Sequence, residues 1–141
     1  MPIVVPNEGA PYLLGFTVGL ADPTSRTWEV HLYVNNYTPV PSTTVASFTE
    51  CSVPGYAPIV IPVSGWGAPT IISNRASSTY TGINPLVFTN TGSLPVVVYG
   101  YWVEDETDGV TLFAEQFATP QTLNAGGDLD LTVIFTGGTQ L

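Results

Sequence analysis

Glycine and proline punctuate this chain so densely that no long uninterrupted element fits between them: 14 Gly and 13 Pro are spread over 141 residues. Proline lacks a backbone N–H and glycine loses the most entropy on ordering, so both collect at turns, element ends and sheet edges. Between these breaks Val, Ile and Thr supply 43 residues, while Lys is absent and Met occurs once. Many short strands separated by turns is the natural outcome. The expected fold is therefore all-β, an antiparallel β-sandwich, jelly-roll-like, with at most one short helix near 43–50, where Ser42 or Thr43 could cap Thr44 to Thr49. The same punctuation leaves no apolar run near the ~20 residues of a spanning helix, so no membrane partner is expected. Met1 to Pro6 lacks the basic and continuous apolar regions of a secretory signal. The single Cys51 cannot form an internal disulfide.

The clearest period-2 segment is Trp28–Val34, with Trp28, Val30, Leu32 and Val34 on one face and Glu29, His31 and Tyr33 on the other, expected to be solvated. Asp128 to Phe135 alternates the same way and reads as one final strand. Val96 to Val103 is apolar on both faces, Val96, Val98 and Trp102 against Val97, Tyr99, Tyr101 and Val103, as in a strand buried twice. The polar run 104–109 followed by Val110–Phe117 predicts a β-hairpin. Further strands are expected at about 13–20, 57–63, 69–73 and 85–90, with Thr119 to Gly127 as a turn-rich connection. Residues 1–12, carrying Pro2, Pro6 and Pro11, read as an extended N-terminal arm that reaches a neighbour, and 13–141 as a single β-sandwich domain.

Charge is scarce and one-sided. Eleven acids face two Arg and one His, a net charge of −9, which leaves no basic footprint for nucleic acid. Four of the acids lie in 104–108, and with Glu115 they match the oxygen spacing of an EF-hand loop. An EF-hand, however, needs Asp first and flanking helices, whereas these flanks read as strands. A solvated hairpin tip is the expectation, with no metal assigned. His31 and Cys51 form no recognisable nucleophile–base signature, Asp128 and Asp130 read as two acids on a wet strand face, and Ser64 lacks the upstream Gly of a nucleophile elbow. No catalytic residue, cofactor or metal site is expected, and the chain does not read as an enzyme. The aromatics are the better lead. Tyr56, Trp66, Tyr99, Tyr101 and Trp102, with Pro6 of the arm, are the candidate interaction residues, because aromatics with little charge around them are the composition of interfaces.

Several stretches carry a family likeness: Val4-Val5-Pro6-Asn7-Glu8-Gly9; Leu32 through the Asn35-Asn36-Tyr37-Thr38-Pro39 turn; Phe48-Thr49-Glu50; Pro54-Gly55-Tyr56-Ala57; Phe113-Ala114-Glu115-Gln116-Phe117; and Gly127-Asp128-Leu129-Asp130-Leu131. In these the chain resembles a group of small tailed-bacteriophage and prophage virion structural proteins. The resemblance spans most of the chain, with residues 64–95 contributing little. It implies a structural component of a virus particle; with the prolyl arm, the doubly apolar strand 96–103 and the lack of a catalytic site, the expectation is a capsid decoration or cement protein assembled in the host cytoplasm onto the virion surface, a homo-oligomer, most simply a homotrimer, whose partners are the major capsid protein or other virion subunits. Alternatives are a tail or connector component, or a receptor- or glycan-binding adhesion module using Trp66, Tyr99, Tyr101 or Trp102 as stacking platforms.

Overall fold

The computed structural model describes residues 3–19 and 26–137. Nine strands follow one helix: α1 (Ala10–Thr17), β1 (Trp28–Tyr33), β2 (Ile59–Val60), β3 (Thr70–Ile72), β4 (Arg75–Thr79), β5 (Leu86–Thr89), β6 (Val96–Asp105), β7 (Val110–Leu123), β8 (Asp128–Leu131) and β9 (Ile134–Gly137). All strand pairs are antiparallel, in a four-stranded sheet β2-β1-β6-β7, a three-stranded sheet β3-β4-β9 and a two-stranded sheet β5-β8. The all-β expectation is met. One face of the large sheet supplies Trp28, Val30, Leu32, Tyr101, Val103 and Phe113 to a core shared with Leu86, Phe88, Leu129 and Leu131 of the two-stranded sheet.

The opposite face of β1 and β6 is also covered, which the alternation of β1 did not suggest. Tyr33, Phe48, Trp102 and Ala114 form a second buried cluster, with Tyr37 and Tyr99 against it. The cover is the segment 43–50, which makes a single 3-10 turn at Val45–Ser47 in place of the expected helix; it is capped at Thr44, whose backbone N–H donates to Ser47 Oγ at 3.1 Å. Strand β6 is thus buried on both faces by its own chain. A bulge between Val98 and Gly100 corrects its expected face assignment, moving Val98 into the same core as Tyr101 and Val103 and leaving Trp102 on the other side.

Four further expectations change. The segment expected as a strand at 13–20 is helix α1, with Pro11 in its first turn. Leu13 to Val18 alternates well enough for a strand, but Tyr12, Leu13 and Phe16 pack on the core at helical spacing. The expected arm does not extend: Val4 and Ala114 exchange backbone hydrogen bonds of 2.9 Å along β7, and Glu8 Oε1 accepts the Thr111 N–H at 2.8 Å. Met1, Pro2 and Leu20 lie outside the described residues. The expected final strand divides at Thr132–Val133, β8 pairing with β5 and β9 with β4. Finally, β7 continues to Leu123 through the expected connection, with 117–120 bulging out between the Gln116 and Gln121 pairings. Pro120 is tolerated there because the ladder is already interrupted.

Gly9 is where α1 meets β7. A Cβ on it would lie 2.8 Å from Leu112 Cα and collide with the Thr111 carbonyl, whereas Gly15 has open space around it. Gly9→Ala should therefore destabilise the protein by about 1–3 kcal/mol, and Gly15→Ala should stabilise it by about 0.5–1 kcal/mol, both read as shifts in the urea midpoint at constant slope.

Candidate metal centre

The acids of the 104–108 loop do not converge on a point; strand alternation splits them. Asp105 turns to the far side, where Arg26 Nη1 lies 3.7 Å from its Oδ2, and Arg26 also bridges to Asp108. The two residues of opposite parity, Glu104 and Glu106, point to the near side. There they meet Glu29 and His31 of β1, because the β1–β6 register sets Glu29 opposite Glu104 and His31 opposite Trp102. Glu115, the distant acid of the EF-hand spacing, is half-buried on β7, and burial holds its carboxyl above the usual range. The expected solvated hairpin tip holds for 106–109, which are exposed, whereas the two residues before it wall a buried cluster: Glu104 is 8% exposed and Asp105 fully buried.

His31 is the centre of that cluster, with 6% of its side chain exposed. Its ring stacks on Trp102 at 4.6 Å and 8°, and Trp102 stacks in turn on Phe48 at 4.6 Å and 5°. Four carboxylates surround the imidazole edge. Nδ1 lies 2.7 Å from Glu50 Oε1, while Nε2 faces Glu106 Oε1 at 3.2 Å, Glu104 Oε2 at 3.5 Å and Glu29 Oε2 at 3.7 Å. The short Nδ1 contact is a charge-assisted hydrogen bond, Nδ1–H donating to Glu50. The Tyr56 hydroxyl also donates to Glu50 Oε1 at 3.0 Å while accepting the Leu32 N–H at 2.9 Å. Trp102 Nε1–H donates to Glu104 Oε2 at 3.0 Å. Two of the ring's partners, Glu50 and Glu104, are thus themselves held.

Such an arrangement crowds negative charge. The ligand atoms of Glu29, His31 and Glu106 lie within 4.8 Å of one another, a spacing at which two carboxylates at an effective dielectric near 20 repel by about 3–4 kcal/mol. Glu29 and Glu104 are directly opposed across the strands, a like-charge pairing that destabilises a sheet. Burial, followed by the charge and hydrogen bond of Glu106, raises the Glu29 carboxyl above its ordinary range; burial likewise raises Glu104 against the opposing Trp102 hydrogen bond. No lysine exists to offset the charge, Arg26 is engaged with Asp105 and Asp108, and Arg75 sits on β4 in another sheet.

The residues singled out from the sequence are placed differently from one another. Pro6, Tyr101 and Trp102 are buried inside their own chain and offer no contact surface, which removes Tyr101 and Trp102 as stacking platforms. Tyr56 is half-buried with its hydroxyl committed to Glu50, and Tyr99 lies against the second aromatic cluster. Trp66 lines an apolar crevice of about 320 Å³ beneath α1, with Leu13, Phe16, Trp28 and Phe113. Cys51 is buried in the main core, across the sheet from the His31 ring, and burial pushes its thiol up. Asp128 and Asp130 are exposed along a groove of about 560 Å³ between β7 and β8, where Asp128 accepts the Thr89 hydroxyl. Glu29, Glu50 and Glu106 escaped the sequence reading because their convergence on His31 depends on register and on the 43–50 cover; the one available signal was the i, i+2 relation of Glu29 to His31 and of Glu104 to Glu106.

The raised Glu29 and Glu104 carboxyls fix the sign of a pH effect. A folded-state value above the unfolded one means that the native state binds more protons between the two, so stability falls as pH rises through that window and stays reduced above it. In chelator-containing buffer Glu29→Gln should therefore be more stable than wild type at pH 8, with the difference shrinking as pH falls toward the ordinary Glu value. Urea midpoints across the pH series read this directly. Trp102→Ala, which removes the middle of the stack, should cost about 3–5 kcal/mol.

No protein-family model matches the chain, and no curated protein matches it.

Proposed function

We propose that this chain is a structural protein of a phage particle, a decoration subunit that stabilises the head by burying apolar surface against its own copies and the major capsid protein. The observation that carries this reading is the edge strand β3. Thr70–Ile72 lies at the rim of its sheet with all three residues exposed, Ile71 at 73% and Ile72 at 55%. Monomeric proteins guard such rims with Lys, inward charge or bulges, and β3 itself carries no charged side chain. Leu14 at 62% and Leu94 at 75% exposed add apolar surface to a chain with only 13 Lys, Arg, Asp and Glu residues. The family resemblance points the same way. Neither the N-terminal segment nor strand β6 supplies the contact, since both are engaged within the chain; the assembly surface is the β3 rim and its apolar surroundings.

In this role the protein acts by added interface area, forming a symmetric homotrimer on the particle surface after assembly in the host cytoplasm. A tail or connector component would use the same surface in another position. Sedimentation velocity over a concentration series should give a closed oligomer of trimer mass, and the protein should co-sediment with expanded capsids. The double substitution Ile71→Lys with Ile72→Lys should abolish both while shifting stability by no more than about 0.5 kcal/mol per site, as for exposed positions. A wild-type protein that stays monomeric and leaves capsids bare contradicts the proposal.

A further inference from the structure

We infer that the cluster around His31 is a binding site for a divalent transition-metal ion, Zn²⁺ by its donor set, held by His31 Nε2 with Glu29 and Glu106, with Glu104 beside them, and clamping β1 to the base of the β6–β7 hairpin. Three independent features of the molecule converge on this.

The first is geometry. Two ligand atoms each about 2.0–2.2 Å from a common Zn²⁺ at tetrahedral angles lie about 3.3–3.6 Å apart. The three carboxylate oxygens facing Nε2 stand 3.2, 3.5 and 3.7 Å from it. The ligand atoms of Glu29, His31 and Glu106 also lie within 4.8 Å of one another, so one cation can be shared by one nitrogen and two oxygens, with Glu104 beside it. An imidazole donor and this compactness argue against Ca²⁺, which takes six to eight oxygens at about 2.3–2.6 Å.

The second is the imidazole itself. Its side chain is more than nine-tenths buried; Nδ1 pairs with Glu50, and Nε2 faces three carboxylates, the nearest being Glu106 Oε1 at hydrogen-bonding distance, 3.2 Å. A ring nitrogen facing three anionic oxygens calls for a positive centre between them, a proton shared with Glu106 or a metal ion in its place. Glu50 behind Nδ1 is the outer carboxylate that fixes the tautomer and orientation of a metal-bound histidine, and the Trp102 indole performs the same service for Glu104. Tyr56 holds Glu50 in turn.

The third is charge. Four carboxylates gather at one histidine in a protein with two arginines and no lysine, and neither arginine is in the cluster. A dication offsets both the cross-strand Glu29–Glu104 repulsion and the Glu29–Glu106 crowding at once. The ligands come from β1 and from Glu106 in the exposed turn that follows β6, so the ion joins segments more than 70 residues apart in the chain.

The test uses the full chain stripped with EDTA and dialysed, then titrated with ZnCl₂ by calorimetry and followed by thermal melting. One equivalent should bind, the melting temperature should rise by several degrees, and EDTA should reverse the rise; CaCl₂ at the same concentration should not reproduce it. Glu106→Gln should weaken Zn²⁺ binding at least about tenfold, and Glu50→Gln, which acts through the imidazole, by about 10–100-fold, while Asp128→Asn on the distant β8 leaves it unchanged. Loss through misfolding is separable, because the metal-free Glu106→Gln protein should be as stable as wild type or more so, its like-charge crowding being relieved. Absence of Zn²⁺-dependent heat and melting shift in wild type overturns the assignment. So does equal affinity in Glu106→Gln and Asp128→Asn.

Discussion

The stack of His31 on Trp102 on Phe48 is the contact on which the second face of the large sheet depends. It lies on the side of β1 and β6 turned away from the main core, and it makes a two-sided sheet out of what β1's alternation alone would leave half solvated. Burying that face forces the polar residues that share it, Glu29, His31 and Glu104, out of bulk water. A buried polar group must find partners, and here the partners are mostly one another: imidazole to carboxylates, indole N–H to Glu104, phenol to Glu50. Aromatic packing thus creates the electrostatic problem that the cluster has to solve.

The main core makes no such demand. Its residues are aliphatic and aromatic side chains contributed by the four-stranded sheet and by the β5-β8 pair, and Cys51 joins them as a small buried hydrophobe. The N-terminal segment completes the molecule by pairing Val4 with Ala114, covering part of the β7 edge that would otherwise be free, and by seating α1 through a glycine that no larger residue can replace without moving β7. Apolar side chains left uncovered include Ile71 and Ile72 of β3, Leu14 of α1 and Leu94 in the turn before β6. Division of labour follows: one face closes the fold, the other assembles a polar centre, and the β3 rim remains for contact with other chains.

Much of this was legible from particular residues. The alternation of Trp28 to Tyr33 sorted its residues between two faces and identified the core face, though not the burial of the other, and the Gly-terminated polar run 104–109 located the longest hairpin. Other parts were hidden for physical reasons. Leu13 to Val18 satisfies a strand period as well as a helix period, and the preference for α1 comes from tertiary contacts at Gly9 and Phe16. Asp128 to Phe135 keeps one alternation across a break that sends its halves to different sheets. The polar centre was invisible because spacing along the chain suggested a loop of oxygens at 104–115, whereas strand parity sends Glu104 and Glu106 one way and Asp105 the other. The sparse charge, first a sign of packed surface, turns out to be gathered: four of the eleven acids stand around the single histidine.

That the chain has one histidine makes its ring nitrogens unambiguous reporters of the central claim. Long-range ¹H–¹⁵N correlation spectra of the uniformly labelled protein, recorded before and after one equivalent of ZnCl₂, distinguish a protonated, a lone-pair and a metal-bound nitrogen. Nδ1 should stay protonated throughout, held by Glu50, while Nε2 moves to the shift of a metal-bound nitrogen. Two protonated nitrogens that do not respond to Zn²⁺ would contradict it.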